Sequence, residues 1–239
     1  MDWQEDAIVL GARKHGETSA VVEVLTRDHG RHAGLVRGGR SKRMRPVLQQ
    51  GNLVQATWRA RLEEQLGNFT LEPISLGAAL AMDDPFRLAG LTTLTALCGL
   101  LPDRDPQPQV YEAALLVLEN LDHEDIWPAL LVRWEAGLLD SLGFGLDLSR
   151  CAATGSTDDL IYVSPKTGRA VSARAGEPYK NKLFDLPPFL LGKPELDITD
   201  VLMGFELTGY FLQRNLASPR GIELPDSRGR VINYLKSRA

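Results

Sequence analysis

The sequence predicts an α+β protein in which a small five-stranded barrel precedes a helical bundle, and a short β insertion interrupts the bundle. Three observations carry this. Residues 6 to about 76 hold short runs rich in β-branched or aromatic side chains, divided by turn residues. After Met82-Asp83-Asp84-Pro85 the apolar positions recur mostly at three- and four-residue spacing, and beyond the third helical stretch short strand-like runs return.

The strand-like runs are residues 7–10, 20–26, 33–36, 53–58 and 67–71. Turn chemistry such as Asp28-His29-Gly30 and Gln50-Gly51-Asn52 separates them, and only the stretch near Pro46 to Gln50 leaves room for a helix. Five short antiparallel strands in so little chain fit a closed barrel. The OB-fold is the commonest barrel of this kind with a nucleic-acid-binding face, and closure leaves no exposed sheet edge.

The first helix is expected on Phe86, Leu91, Leu94, Leu97, Cys98 and Leu101, with Asp83 or Asp84 as cap and Pro85 in the first turn. After the break at 102–108, a second helix is predicted on Val110, Leu115, Leu118 and Leu121. A third, from about 125 to 142, places Trp127, Leu130, Leu131, Trp134, Leu138 and Leu142 on one stripe and stops at Gly143 and Gly145. Residues 199–217 and 225–236 give two later helices, and Leu160-Ile161-Tyr162-Val163 with Arg169-Ala170-Val171-Ser172 gives a small β-ribbon between. The expected domains are 1–80, a helical domain of 81–146 with 191–239, and an insertion of 147–190.

The formal charge is −4, yet residues 1–80 carry a net +2 and residues 81–239 a net −6. From Arg27 to Arg61 nine basic residues meet one acidic one, Asp28. Within that span Arg37, Arg40, Lys42, Arg43 and Arg45 surround Gly38-Gly39 and end at Pro46. Glycines let a backbone turn and approach a ligand, and guanidinium groups match phosphate oxygens through paired hydrogen bonds. Such an arm suits a polyanion, and focused rather than general anion binding. Trp58, Phe69 and Trp3 are the aromatic side chains nearby, either stacking on bases or filling the barrel. Phosphate contacts carry no base information, so sequence specificity is not expected.

Other chemistries are poorly represented. No P-loop, Gly-x-Ser-x-Gly, His-Glu-x-x-His or dinucleotide fingerprint occurs. The carboxylate pairs Glu5-Asp6, Glu63-Glu64, Asp83-Asp84 and Asp158-Asp159 are adjacent in sequence, which points their members apart on regular structure. Asp28, His29 and His32, with His15 upstream, are the one metal-like spacing and the basis of a rival reading as a metal-dependent hydrolase. Two cysteines, Cys98 and Cys151, make no disulfide framework, no run approaches the roughly 20 apolar residues of a membrane span, and the acidic N-terminus does not read as a secretory signal. A soluble chain in a reducing cytoplasm is expected, with no catalytic residue, cofactor or metal.

The pattern Glu17-Thr18-Ser19, Leu25-Thr26 and Gly30-Arg31, then Gly38-Gly39-Arg40-Ser41-Lys42-Arg43, then Arg133-Trp134-Glu135 running into Leu142-Gly143-Phe144-Gly145 and Cys151, resembles the RecO family of DNA repair and recombination mediators over nearly the whole chain. The resemblance implies an N-terminal OB-fold, a helical bundle and a zinc-ribbon-like insertion. It implies a non-enzymatic, nucleoid-associated role: binding single- and double-stranded DNA, annealing complementary strands, and working with RecR to load RecA onto DNA coated by single-strand-binding protein (SSB). It also implies that a basic residue at Arg133 helps bind the acidic C-terminal tail of SSB. One departure stands out. Zinc-binding members carry two Cys-x-x-Cys pairs, whereas here Thr154 stands three residues after Cys151 and residues 171–175 hold no cysteine. A ribbon without metal, held by Leu160, Tyr162 and Val171, is therefore predicted. An RNA-binding OB module is the nearer rival, because a phosphate-reading arm does not distinguish the sugar.

Overall fold

Five strands, β1 (Asp2–His15), β2 (Ser19–Thr26), β3 (Gly30–Val36), β4 (Leu53–Arg59) and β5 (Asn68–Ser75), close into a barrel in the order β1-β2-β3-β5-β4 in the computed structural model. The structure describes residues 1–62, 64–194 and 196–239. Closure depends on β1. Its first half pairs with β4, from Asp2 opposite Arg59 to Ile8 opposite Leu53, and its second half pairs with β2, from Ala7 opposite Thr26 to His15 opposite Ser19. A bulge between Val9 and Gly11 accompanies the change of partner, as bulges do where a strand must bend. β3 and β5 seal the seam in parallel at Leu35 and Asn68. This is the expected OB-type barrel, with β1 far longer than its apolar run of 7–10.

Alternation sends Ala7, Val9, Val22, Val24, Val54, Ala56, Trp58, Phe69 and Leu71 into one buried cluster. The short helix α1 (Met44–Val47) adds Val47 and the following Leu48 to it. Buried Asn52 fastens this helix: its amide donates to the carbonyls of Pro46 (2.7 Å) and Val47 (3.1 Å), while its Oδ1 accepts from the Ala78 amide. The bonds to the Val47 carbonyl and the Ala78 amide satisfy backbone groups that would otherwise be buried unpaired.

The chain divides into two compact units, Met1–Glu124 and Asp125–Ala239. Besides the barrel, the first holds α2 (Ala78–Met82), α3 (Pro85–Cys98) and α4 (Pro108–Glu119). Asp84 caps α3 as the sequence suggests, accepting from the amides of Phe86 and Arg87. In α4 the buried face is Val110, Tyr111, Ala114 and Val117, so Leu115 and Leu118 are only half-buried. The predicted stripe is out of phase because Ala114 and Tyr111 pack inward, where the leucines carry the stronger sequence signal.

In the second unit, α5 (Trp127–Ser141) buries Trp127, Leu131, Trp134 and Leu138. The β-ribbon follows as β6 (Leu160–Val163) and β7 (Ala170–Ser172), then α6 (Ala173–Gly176) and a 3-10 turn, and β8 (Phe184–Asp185) completes a sheet in the order β7-β6-β8. α7 (Ile198–Leu212) runs into a π-turn over Gln213–Ala217, and α8 (Asp226–Lys236) ends the chain. α5, α7 and α8 meet at one buried ion pair. Arg228 donates to both oxygens of Glu135, from Nε (2.8 Å) and Nη2 (2.9 Å), and Nη2 also reaches the Phe205 carbonyl (2.6 Å). The Thr208 hydroxyl donates to Glu135 as well.

Leu160, Tyr162 and Val171 are buried in the ribbon. Among the described residues no group of three or more His, Cys, Asp or Glu side chains is placed to hold a metal ion. Cys151 is buried, and its sulfur accepts from the Ser172 amide (3.3 Å) and hydroxyl (3.4 Å). Burial pushes this thiol up, but the bonds from Ser172, Thr154 and the Ala153 amide together outweigh it and bring the pKa to about 6. Those donors occupy the sulfur's lone pairs. Treating the protein with a chelator is therefore expected to leave its unfolding midpoint unchanged, and one zinc per chain in elemental analysis of the purified protein would show this wrong.

Candidate nucleic-acid interface

The basic arm leaves the barrel at the end of β3 and returns through α1. Gly38 sits at φ 68°, and a Cβ on Gly39 would meet the Ala20 Cβ at 2.9 Å, so glycine is what lets the arm lie against β2. Arg40 then latches it. Its amide donates to the Thr18 carbonyl (3.0 Å), and its Nη1 donates to the carbonyls of Gly16 (2.9 Å) and Glu17 (2.6 Å) in the β1–β2 loop. Bonds from the Ser41 amide to Gly38 and from the Met44 and Arg45 amides to Ser41 fold the arm's tip.

Arg37, Arg40, Lys42, Arg43 and Arg45 are all exposed. None pairs with a carboxylate among the described residues, although nearby Arg27 and Arg31 do. Arg40 differs from the other four, because part of its guanidinium is committed to the loop carbonyls. The arm borders a cleft of about 460 Å³, where Arg40 and Arg45 face Arg13 and Lys14 from β1. A second cleft, of about 440 Å³, is lined by Arg37 and Arg59 over a floor that includes Val36, Phe69 and Leu71.

Arg13, Lys14 and Arg59 are residues that sequence reasoning missed. All three are exposed and unpaired with any carboxylate among the described residues. The signal is present for Arg13 and Lys14: they close the strand before Gly16-Glu17, so a β1–β2 hairpin sets them beside whatever docks on that loop.

Trp58 and Phe69 fill the barrel and do not offer open faces; they are 1% and 4% exposed. With half-buried Trp3 they enclose His32, whose ring lies 4.8 Å from Trp58 and 5.2 Å from Trp3. His29 stacks on Trp3 at 4.4 Å and shares a hydrogen bond with Glu5 (2.8 Å), while Asp28 pairs with Arg27. His15 lies at the far end of β1. Asp28, His29 and His32 are thus not brought together as a ligand set, and Glu63 of one carboxylate pair lies outside the described residues. The β2–β3 turn is covered by the α3–α4 loop, with Arg31 paired to Asp103 (2.7 Å) and the Arg104 amide bonded to the Arg31 carbonyl.

Arg133 lies on the exposed side of α5 in the second unit, and its Nη2 donates to the Phe189 carbonyl in the 3-10 turn Pro188–Leu191. No described helix is long and apolar enough to cross a membrane.

Residues 1–76 match the family described as recombination protein O N terminal, and residues 82–221 match recombination protein O C terminal. The chain belongs to the RecO family. Its relatives include a DNA repair protein RecO from Methylorubrum extorquens, 53% identical over 97% of both chains. The protein of the same name from Methylobacterium nodulans is 54% identical over 95% of both. That from Rhodospirillum centenum is 52% identical, covering 98% of this chain and 94% of its own. The family places this barrel and its arm in a DNA repair protein.

Proposed function

We propose that the chain is a non-enzymatic recombination mediator. It binds single- and double-stranded DNA through Arg37, Arg40, Lys42, Arg43 and Arg45, anneals complementary strands, and with RecR helps load RecA onto SSB-coated DNA. The observation that carries this reading is the arm: cations free of carboxylate partners among the described residues, held in place on a rigid barrel by Gly39 and Arg40. Neutralising phosphates on two strands lowers their mutual repulsion, which is the main electrostatic obstacle to annealing. The relatives' name, DNA repair protein, favours DNA over RNA as the polymer. In the second unit, exposed Arg133 is the side chain assigned to the carboxylate of the SSB tail, a peptide-end capture that needs a cation beside apolar anchor sites.

The test reverses charge while sparing the Arg40 latch. Lys42→Glu, Arg43→Glu and Arg45→Glu together are expected to make the slope of log affinity for single-stranded DNA against log salt shallower by about 2, at roughly 0.7 per lost phosphate contact. Annealing should be lost, on naked and on SSB-coated strands, with the circular dichroism spectrum unchanged. An unaltered slope would remove the arm from the interface.

A further inference from the structure

We propose that the arm is a partition between two strand seats, one polynucleotide strand lying in each of the two cation-lined clefts. This inference rests on the DNA-binding reading above and extends it to a stoichiometry and to a second seat. The same short segment faces both ways: Arg40 and Arg45 line one cleft, while Arg37 and Met44 line the other, and the two clefts share no lining residue among the described ones. Each is completed by cations from a different part of the barrel, Arg13 and Lys14 of β1 in the first and Arg59 at the end of β4 in the second. Among the described residues no carboxylate lines either one. A single strand tracking one groove would require one continuous cationic path; here the path is divided by a wall that Arg40 pins to the β1–β2 loop through two carbonyls.

The two seats differ in chemistry. The first presents four cations around its rim and is suited to a phosphate backbone. The second presents Arg37 and Arg59 over a closed floor of buried Val36, Phe69 and Leu71, and suits a strand whose phosphates meet the two guanidiniums. Because the wall is itself cationic, two strands on its sides are screened from each other by Arg37, Arg40 and Arg45, at separations where bulk salt screens only partly.

The experiment uses the full chain with a short dye-labelled oligodeoxythymidine, counting strands per chain by native mass spectrometry and following annealing of a complementary pair by energy transfer. Wild type should bind two strands. Arg13→Glu/Lys14→Glu and Arg37→Glu/Arg59→Glu should each bind one, and each should anneal at least about tenfold more slowly, as loss of several phosphate contacts implies. Arg13→Lys and Arg37→Lys/Arg59→Lys should keep both strands, which separates charge from folding. One strand per wild-type chain, or one double variant losing both strands while the other keeps both, would overturn the two-seat arrangement and leave the DNA-binding reading standing. No binding by wild type would instead overturn that reading itself.

Discussion

Glu135→Ala is expected to destabilise the second unit by about 3 to 5 kcal/mol, the cost typical of removing one partner from a buried ion pair. Glu135 is fully buried and the Arg228 side chain is 7% exposed, so the guanidinium left behind keeps the Phe205 carbonyl and the Thr208 hydroxyl but loses its only counter-charge among the described residues. A Cβ on Gly209 would meet Arg228 Nη1 at 2.6 Å, and one on Gly204 would meet Val132 at 2.7 Å, so both glycines of α7 let neighbouring groups approach at van der Waals limits. Replacing both partners by apolar residues of similar volume, Glu135→Leu with Arg228→Met, should recover most of the loss, because the pair's desolvation penalty vanishes with its attraction. Urea unfolding of the two variants checks this; a single variant no less stable than the double would mean that the pair contributes packing alone.

What is legible in the sequence, and what is not, follows from how local each determinant is. The strands β2 and β4 are readable because their β-branched runs are bounded by turn residues, and the Asp84 cap with Pro85 marks the start of α3. β1 is not, beyond 7–10: its first half, Trp3-Gln4-Glu5-Asp6, has the polar alternation of a strand with one face out, and only pairing with β4 fixes it. The Glu135–Arg228 pair joins residues 93 apart and leaves no periodic trace. The same holds for the interface. The clustered cations of the arm are visible as a run, whereas Arg59 becomes their neighbour only through the closure of the barrel. Trp58 and Phe69 can be read either way from alternation, and the strand register assigns them to the interior.

His32 supplies a pH dependence with a definite sign. Burial, first, and then the charges of Arg104 and His29 lower its pKa from 6.5 to about 4, with Asp103 opposing. Its ring nitrogens have no hydrogen-bond partner among the described residues, and the ring lies between Trp3, Trp58 and Phe69, so a proton gained there loses hydration that the Asp103 charge only partly offsets. The folded value lies below the unfolded one. As pH falls through about 6.5 the unfolded chain takes up a proton that the folded barrel refuses, and stability declines until pH reaches about 4, where the folded form protonates too. Between pH 7 and pH 4.5 the loss attributable to this one residue is expected to be about 2 kcal/mol. His32→Phe keeps an aromatic ring in the cluster and removes the titration, so the difference in urea stability between variant and wild type should shift in the variant's favour by that amount at pH 4.5 relative to pH 7. A pH-independent difference would mean that His32 is already hydrated or charged in the fold, and the enclosing ring cluster would have to open to permit it.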